Sequence, residues 1–345
     1  MPCCRVYLCT YRRNHLLPRA LESLLRQEFQ DWVCEVHNDD PSDPYPRVLV
    51  SEIGDPRLTI VDHEVNLGPI RTFNLAFRDV PEPFVSILED DNWWEPHFLR
   101  VMLDLMRAYP HVRLAWANMR VWCEGEDGSW IDMGRSIWNR APGSPPELFS
   151  FPQVRQMGGA IYSNSAMVVR TGGLERFRVP EQTPLEAVEP VRERALPSPL
   201  LLMPETLANW AATRETSQTR DASTWMHMKA VLSASFLKHV PMRPEVARQL
   251  WHLARTSAPR STNDLLTAGL FYPGARSALR HARPSDVAML TAFFVRHPRR
   301  AARLVRRITR EREVWHFLDA KTQERVREAT DSGFVELTLP AVNTS

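Results

Sequence analysis

A chain of 345 residues, 43% hydrophobic and 24% charged, can build one large core or two ordinary ones, and this balance excludes a disordered or fibrous protein. The opening MPCCRVYLC lacks the apolar stretch and cleavage site of a signal peptide, and no run approaches the roughly 18 apolar residues of a membrane span. The net charge of +2 is uneven: residues 296–312, RHPRRAARLVRRITRER, hold eight arginines against one glutamate, which leaves the rest of the chain mildly acidic.

Taken in chain order, RVYLCT is a short apolar run suited to a buried strand. Asn14 is then placed to cap a helix with Pro18 in its first turn and Leu17, Ala20, Leu21, Leu24 and Leu25 on one face. WVCEVHN, RLTIVDH and PFVSILE read as further strands, with GPIRTFNLAFRD helical between the last two. HFLRVMLDLMRAY is an amphipathic helix, VRLAWANMRVWCE a strand continued by SWIDMG as a hairpin, and GGAIYSNSAMVVRTGGLERF holds one more strand. Six prolines between 180 and 204 forbid a single regular helix there, and beyond about 222 the pattern turns helical and Arg-rich. Strands alternating with helices predict an α/β fold with a mainly parallel central sheet flanked by helices. A boundary near 220 separates residues 1–220 from a helical, Arg-rich C-terminal region, 221–345. The five cysteines, Cys3, Cys4, Cys9, Cys34 and Cys123, are odd in number, match no metal-ligand spacing, and read as reduced core residues, which points to the cytosol.

Polar residues cluster after each early strand: Thr10 to Asn14, Asn38 to Asp43, Asp62 to Asn66, and the triplet Glu89, Asp90, Asp91. In an open parallel sheet these loops share the edge where ligands bind. A carboxylate cluster on such an edge suits Mg²⁺ or Mn²⁺, which bridges carboxylates to phosphate oxygens and neutralises charge on a departing diphosphate. The competing reading makes Asp90, Asp91 and Asn92 caps for the helix beginning near Pro96.

These residues carry a resemblance. VYLCTYRRNHLLPRALESLLRQEFQDW resembles the opening of family 2 glycosyltransferases of the GT-A fold: an apolar strand, Thr-Tyr-x-Arg, then a Leu-rich helix. EVHNDDPSD, NLGPIRTFNLAF and LEDDNWWEPHFL are similar to that family's second-strand, Asn-x-Gly and acidic metal-binding segments, in the right order and spacing over about 220 residues. The resemblance implies a Rossmann-like GT-A domain in which Thr10, Tyr11, Arg12 and Asp39 line the base and ribose pocket and Arg71 approaches the base or diphosphate. It implies that Glu89, Asp90 and Asp91 form the acidic motif, with Asp91 the direct metal ligand and Glu89, where aspartate is usual, the second metal residue.

An acceptor hydroxyl needs a general base. The family pattern of a carboxylate before a helical arginine implies Glu189 or Glu186, ahead of Arg194 in PLEAVEPVRERAL. LLMPETLANWAATRETSQTR is similar to the family's closing strand and diphosphate loop, with Arg214, Thr216 and Ser217 as donors. Trp93 and Trp94 are candidates to stack on a sugar, with at least one expected in the core.

The resemblance therefore implies an inverting, divalent-cation-dependent hexosyltransferase of saccharide assembly. It would move a sugar from a nucleoside diphosphate donor, UDP above all, to a saccharide or lipid-linked acceptor. Two alternatives stay open: a non-catalytic GT-A nucleotide-sugar-binding protein, and a nucleotidyltransferase, against which stands the missing Gly-rich phosphate loop. The arginines of 296–312 recur at helical spacing, so that helix either packs as a solvated face or touches an anionic membrane as a peripheral contact. Its basic charge alone supports no specific nucleic-acid binding.

Overall fold

The structure, a computed structural model, describes residues 2–214, 221–257 and 261–338. It divides into two compact units that interleave in sequence: Met1–Phe149, Ile161–Glu181 and Pro199–Ser217 form the first, and Ser150–Ala160, Gln182–Ser198 and Gln218–Ser345 the second.

The first unit opens with β1 (Cys4–Thr10), α1 (Leu17–Leu25), β2 (Trp32–Asn38), α2 (Tyr45–Ile53), β3 (Leu58–Asp62), α3 (Pro69–Leu75) and β4 (Phe84–Glu89). β1 pairs in parallel with β2 and β4, and β2 with β3. The register sets Thr10 opposite Asn38, Asn38 opposite Asp62 and Cys9 opposite Glu89, so all four strands finish level at one edge. Their apolar side chains, Val6, Leu8, Val36, Ile87 and Leu88 among them, are buried, as expected for strands covered on both faces.

The unit continues with β5 (Trp93–Trp94), α4 (Phe98–Ala108), β6 (Leu114–Glu124), β7 (Trp130–Ser136), β8 (Glu147–Phe149) and β9 (Met167–Arg170). After α5 (Val188–Ala195), which belongs to the second unit, β10 (Leu200–Ala212) completes the sheet. Its order is β3-β2-β1-β4-β9-β6-β10-β5, with β7 beside β6 and β8 beside β10. The mainly parallel pattern holds for the first four strands. Beyond them β9 runs antiparallel to both β4 and β6, so that half is mixed.

Two local expectations shift. Asn14 does not cap α1: Leu16 occupies that position without a side-chain bond, and Asn14 Nδ2 donates instead to Asp43 Oδ2 at 2.8 Å. A carboxylate is the stronger acceptor, and Pro18 in the first turn has no N–H to satisfy. The acidic triplet does not cap α4 either, since His97 holds that place with no side-chain bond.

The second unit is helical: α6 (Ala222–His239), α7 (Pro244–Ser257), α8 (Ser261–Phe271), α9 (Pro284–Arg296), α10 (Pro298–Arg310) and α11 (Arg312–Asp331) join α5. Pro284 and Pro298 each sit in the first turn of a helix, where the missing N–H costs nothing. Arg194 of α5 is buried at its centre. Its guanidinium donates to Thr322 Oγ1 at 2.8 Å and to the Gln156 carbonyl at 2.6 Å, and lies 5.3 and 5.7 Å from the ring centroids of Phe151 and Phe236. Burial lowers its pKa to about 10.

Asp264, in the first turn of α8, is only 8% exposed, and burial lifts its carboxyl from 3.8 to about 7 against the pull of Lys229. Because the folded value lies above the unfolded one, the charge burdens the fold above pH 7, and the burden is shed as pH falls towards 4. Asp264→Asn is therefore expected to raise Tm at pH 8 and change it little at pH 4. The ceiling is about 4 kcal/mol, reduced by whatever the helix N-terminus returns to an anion. Melts of the two proteins at both pH values check this, and a larger gain at pH 4 would contradict it.

Candidate active site

The site is built where the four parallel strands end. Asp39 follows β2 and is 3% exposed. Its Oδ1 accepts the Leu67 N–H at 2.7 Å, its Oδ2 the Gly68 N–H at 2.9 Å, and His63 Nδ1 lies 2.9 Å from Oδ1. Asp39 thus ties the loop after β3 to β2, with Asn66 Nδ2 donating to its carbonyl at 3.0 Å. Gly68 enters α3 at φ +77°, a conformation that a side chain would strain. His63 Nε2 contacts His37 Nδ1 at 3.0 Å, and His37 Nε2 contacts Glu35 Oε2 at 3.2 Å, so a polar chain runs from Asp39 back beneath β2.

After β1, Thr10 is buried and Tyr11 exposed. Arg12 adopts φ +57° and donates from Nε to Asp40 Oδ2 at 2.7 Å. That guanidinium, with the hydroxyl and N–H of Ser42, holds the Asp40 carboxyl down at about 2. Arg71, on α3, pairs with Glu181 at 2.7 Å through a half-exposed contact, the kind that is weak enough to exchange for a ligand.

The triplet divides into three roles. Glu89 Oε2 receives Asn92 Nδ2 at 2.9 Å, Ser165 Oγ at 2.9 Å and Ser163 Oγ, so this oxygen is fully engaged within the protein. Asp90 is buried, and burial raises its pKa while Arg13, 3.3 Å away, opposes the rise. Asp91 keeps 18% of its side chain accessible and forms an ion pair with the same Arg13 Nη1. Burial first, then the neighbouring charge of Asp90, lifts Asp91 to about 7. Arg13 therefore carries the positive charge that balances this turn.

Arg19, on α1, braces the turn from the other side. Its Nη2 donates to the Asp91 carbonyl at 2.7 Å, and its guanidinium lies 3.9 Å from the ring centroid of Trp93 and 3.8 Å from that of Trp130. Burial lowers its pKa to about 10. Trp94 is core: it stacks on Phe98 at 4.3 Å, and its Nε1 donates to the Ser165 carbonyl. Trp93 is half-buried between Trp122 and Trp130.

Thr10, Tyr11, Arg12, Asp39, Glu89, Asp90 and Asp91 are thus gathered on one edge of the first unit. Glu186, in a 3-10 turn (Leu185–Ala187), and Glu189, in the first turn of α5, belong to the second unit. Arg214 donates its N–H to Glu124 Oε2 at 2.8 Å and Nη1 to the Glu126 carbonyl at 3.0 Å. Thr216 and Ser217 lie outside the described residues.

For a divalent cation, Asp91 fits as a ligand: it is an accessible carboxylate, and Mg²⁺ or Mn²⁺ needs only one or two of these when phosphate oxygens supply the rest. Glu89 Oε2 does not fit a direct ligand, since three donors saturate it. Among the described residues no group of three or more His, Cys, Asp or Glu could hold a metal by itself.

An α/β sheet whose strand-end loops converge on an acidic turn is the arrangement of the GT-A class of glycosyltransferase folds. Residues 5–150 match the family described as Glycosyl transferase family 2. Two curated Escherichia coli proteins are similar over part of their length. The putative colanic acid biosynthesis glycosyl transferase WcaA is 29% identical over 127 residues, 36% of this chain and 45% of that protein. The UDP-Glc:alpha-D-GlcNAc-diphosphoundecaprenol beta-1,3-glucosyltransferase WfgD is 26% identical over 101 residues, 29% of this chain and 40% of that protein. The chain thus spans less than half the length of either relative. Among solved structures, S. aureus TarS 1–349 with UDP-GlcNAc superposes with a TM-score of 0.55 at 14% identity, covering 96% of this chain and 92% of the other. Residues 5–150 thus match glycosyltransferase family 2, and the structure has the GT-A fold.

Proposed function

We propose that this chain transfers a sugar from a nucleoside diphosphate donor, UDP-linked, to a hydroxyl of a saccharide or lipid-linked acceptor with inversion. The observation that carries the reading is the convergence of the Asp39-tied loop, Arg13 and the half-open Asp91 on one edge of four parallel strands. The uridine assignment draws on the UDP-linked donors named for WfgD and for the TarS complex. Asp39 fixes the loop that frames the base, and Tyr11 and Arg71 are exposed enough to close on a nucleotide. Arg13 and Asp91 face the diphosphate. A divalent cation bound there would supply positive charge to the leaving diphosphate. Glu189, or Glu186 in its place, would take the acceptor proton as it attacks. The protein would work in the cytosol, as its reduced cysteines suggest. No described helix is long and apolar enough to cross a membrane.

The test is a thermal-shift panel of UDP, dTDP, GDP and CMP, each with and without Mn²⁺. A nucleotide at a hundred times its dissociation constant stabilises the native state by about 2.7 kcal/mol. UDP alone should produce a shift, and Mn²⁺ should enlarge it. No shift with any nucleotide sinks the proposal, and a shift with GDP alone replaces the donor.

A further inference from the structure

The site leaves one strong feature unused, the arginines of α10. Arg299, Arg303, Arg306 and Arg310 are all exposed and stand at positions i, i+4, i+7 and i+11. At about 100° per residue they fall within a sector of about 60°, a stripe about 16 Å long. The opposite face is the packed one: Leu304 is fully buried, and Ile308 is partly covered. Helix α10 rests on α6 by that face, so the stripe is held outward by packing.

The stripe is also poorly neutralised. Arg303 lies 3.5 Å from Asp221, while Arg299, Arg306 and Arg310 have no carboxylate within ion-pair distance among the described residues. Keeping like charges in one row repels them, and intramolecular pairing does not repay that cost. An external polyanion would.

We propose that the arginine face of α10 docks on an anionic lipid bilayer. Two features favour a bilayer over nucleic acid. Val295, 75% exposed at the end of α9 and next to Arg296, puts an apolar group beside the basic segment. A headgroup region accepts both kinds of group, whereas a phosphate backbone rewards only the charge. Moreover, α10 carries no aromatic side chain on which a base could stack. The proposal stands on the second unit alone and does not depend on the donor chemistry of the first.

The experiment is co-sedimentation of the full chain with vesicles of neutral phosphatidylcholine, with or without about 30% phosphatidylglycerol. Each arginine near an anionic leaflet contributes roughly fivefold to partitioning. Binding to the anionic vesicles should exceed binding to neutral ones by at least about tenfold, and should fade in about 0.5 M salt, where the Debye length falls below about 5 Å. The variant R299A/R303A/R306A/R310A should lose about tenfold or more with Tm unchanged. Should it fail to fold, the pair R306E/R310E serves instead, and replacing all four by lysine should preserve binding, because a bilayer reads charge and not guanidinium shape. Equal binding to both vesicle types, no binding to either, or retention by the alanine variant overturns the proposal. So does a DNA duplex that binds more tightly than the anionic vesicles at the same salt, which would assign the stripe to nucleic acid.

Discussion

Asp91→Asn is expected to lower sugar transfer by about 10²–10³, the usual loss when one electrostatic stabiliser of a developing charge is removed, while the fold survives. The argument rests on how unequally the acidic turn is used. Glu89 Oε2 is bonded to Asn92, Ser163 and Ser165, and Asp90 is buried, whereas Asp91 keeps part of its carboxylate accessible to a cation or substrate. Its removal relieves the repulsion with Asp90 that helps raise its pKa to about 7, and Arg13 keeps Asp90 as a partner. Tm should therefore stay within about 1–2 °C, or rise. Steady-state rates with the donor identified by the shift panel, measured beside a melt, separate the outcomes. A variant that melts normally and keeps its rate within about threefold would remove Asp91 from the chemistry.

Asp39→Ala should do the reverse and damage the fold of the first unit. It orphans the N–H groups of Leu67 and Gly68 and removes the carboxylate facing His63. Each buried unsatisfied group costs about 1–3 kcal/mol, partly recovered as the loop opens to water, so about 2–4 kcal/mol is expected in all. At about 2–4 °C per kcal/mol, Tm should fall by about 4–16 °C, and nucleotide binding should weaken with the loss of the ordered loop. An unchanged melting curve accompanied by lost binding would make Asp39 a pure ligand contact and refute its structural role.

The strand ends were legible because burial on both faces forces continuous apolar runs, and the polar residue after each run announces the edge. Thr10, Asn38, Asp62 and Glu89 could be placed level from that pattern, and the pairing register does so. What each polar residue bonds to was not legible. Asp39 is taken up by Leu67, Gly68 and His63, contacts that only the folded backbone defines. Arg13, the fourth residue of the Thr-Tyr-x-Arg signature, was visible as a letter, but its hold on Asp90 and Asp91 spans 77 and 78 residues. Ser163 and Ser165 gave no signal, because they reach Glu89 only through the antiparallel strand β9 that lies beside β4. Likewise Asn14 satisfied every local rule for a cap and was drawn away by Asp43.

The interleaving of the two units has a consequence for biosynthesis. Residues 150–160 and 182–198 emerge from the ribosome before the helices that complete their unit, Gln218–Ser345, have been made. Until then the guanidinium of Arg194 waits without Thr322, and Phe151 without Phe236. A nascent chain of about 220 residues thus holds two unfinished segments that a chaperone could engage, and a stop codon placed there would yield a product with sticky, unsatisfied surface in place of an autonomous domain. Expression trials that seek a minimal catalytic fragment would do better to keep the C-terminal helices than to trim them.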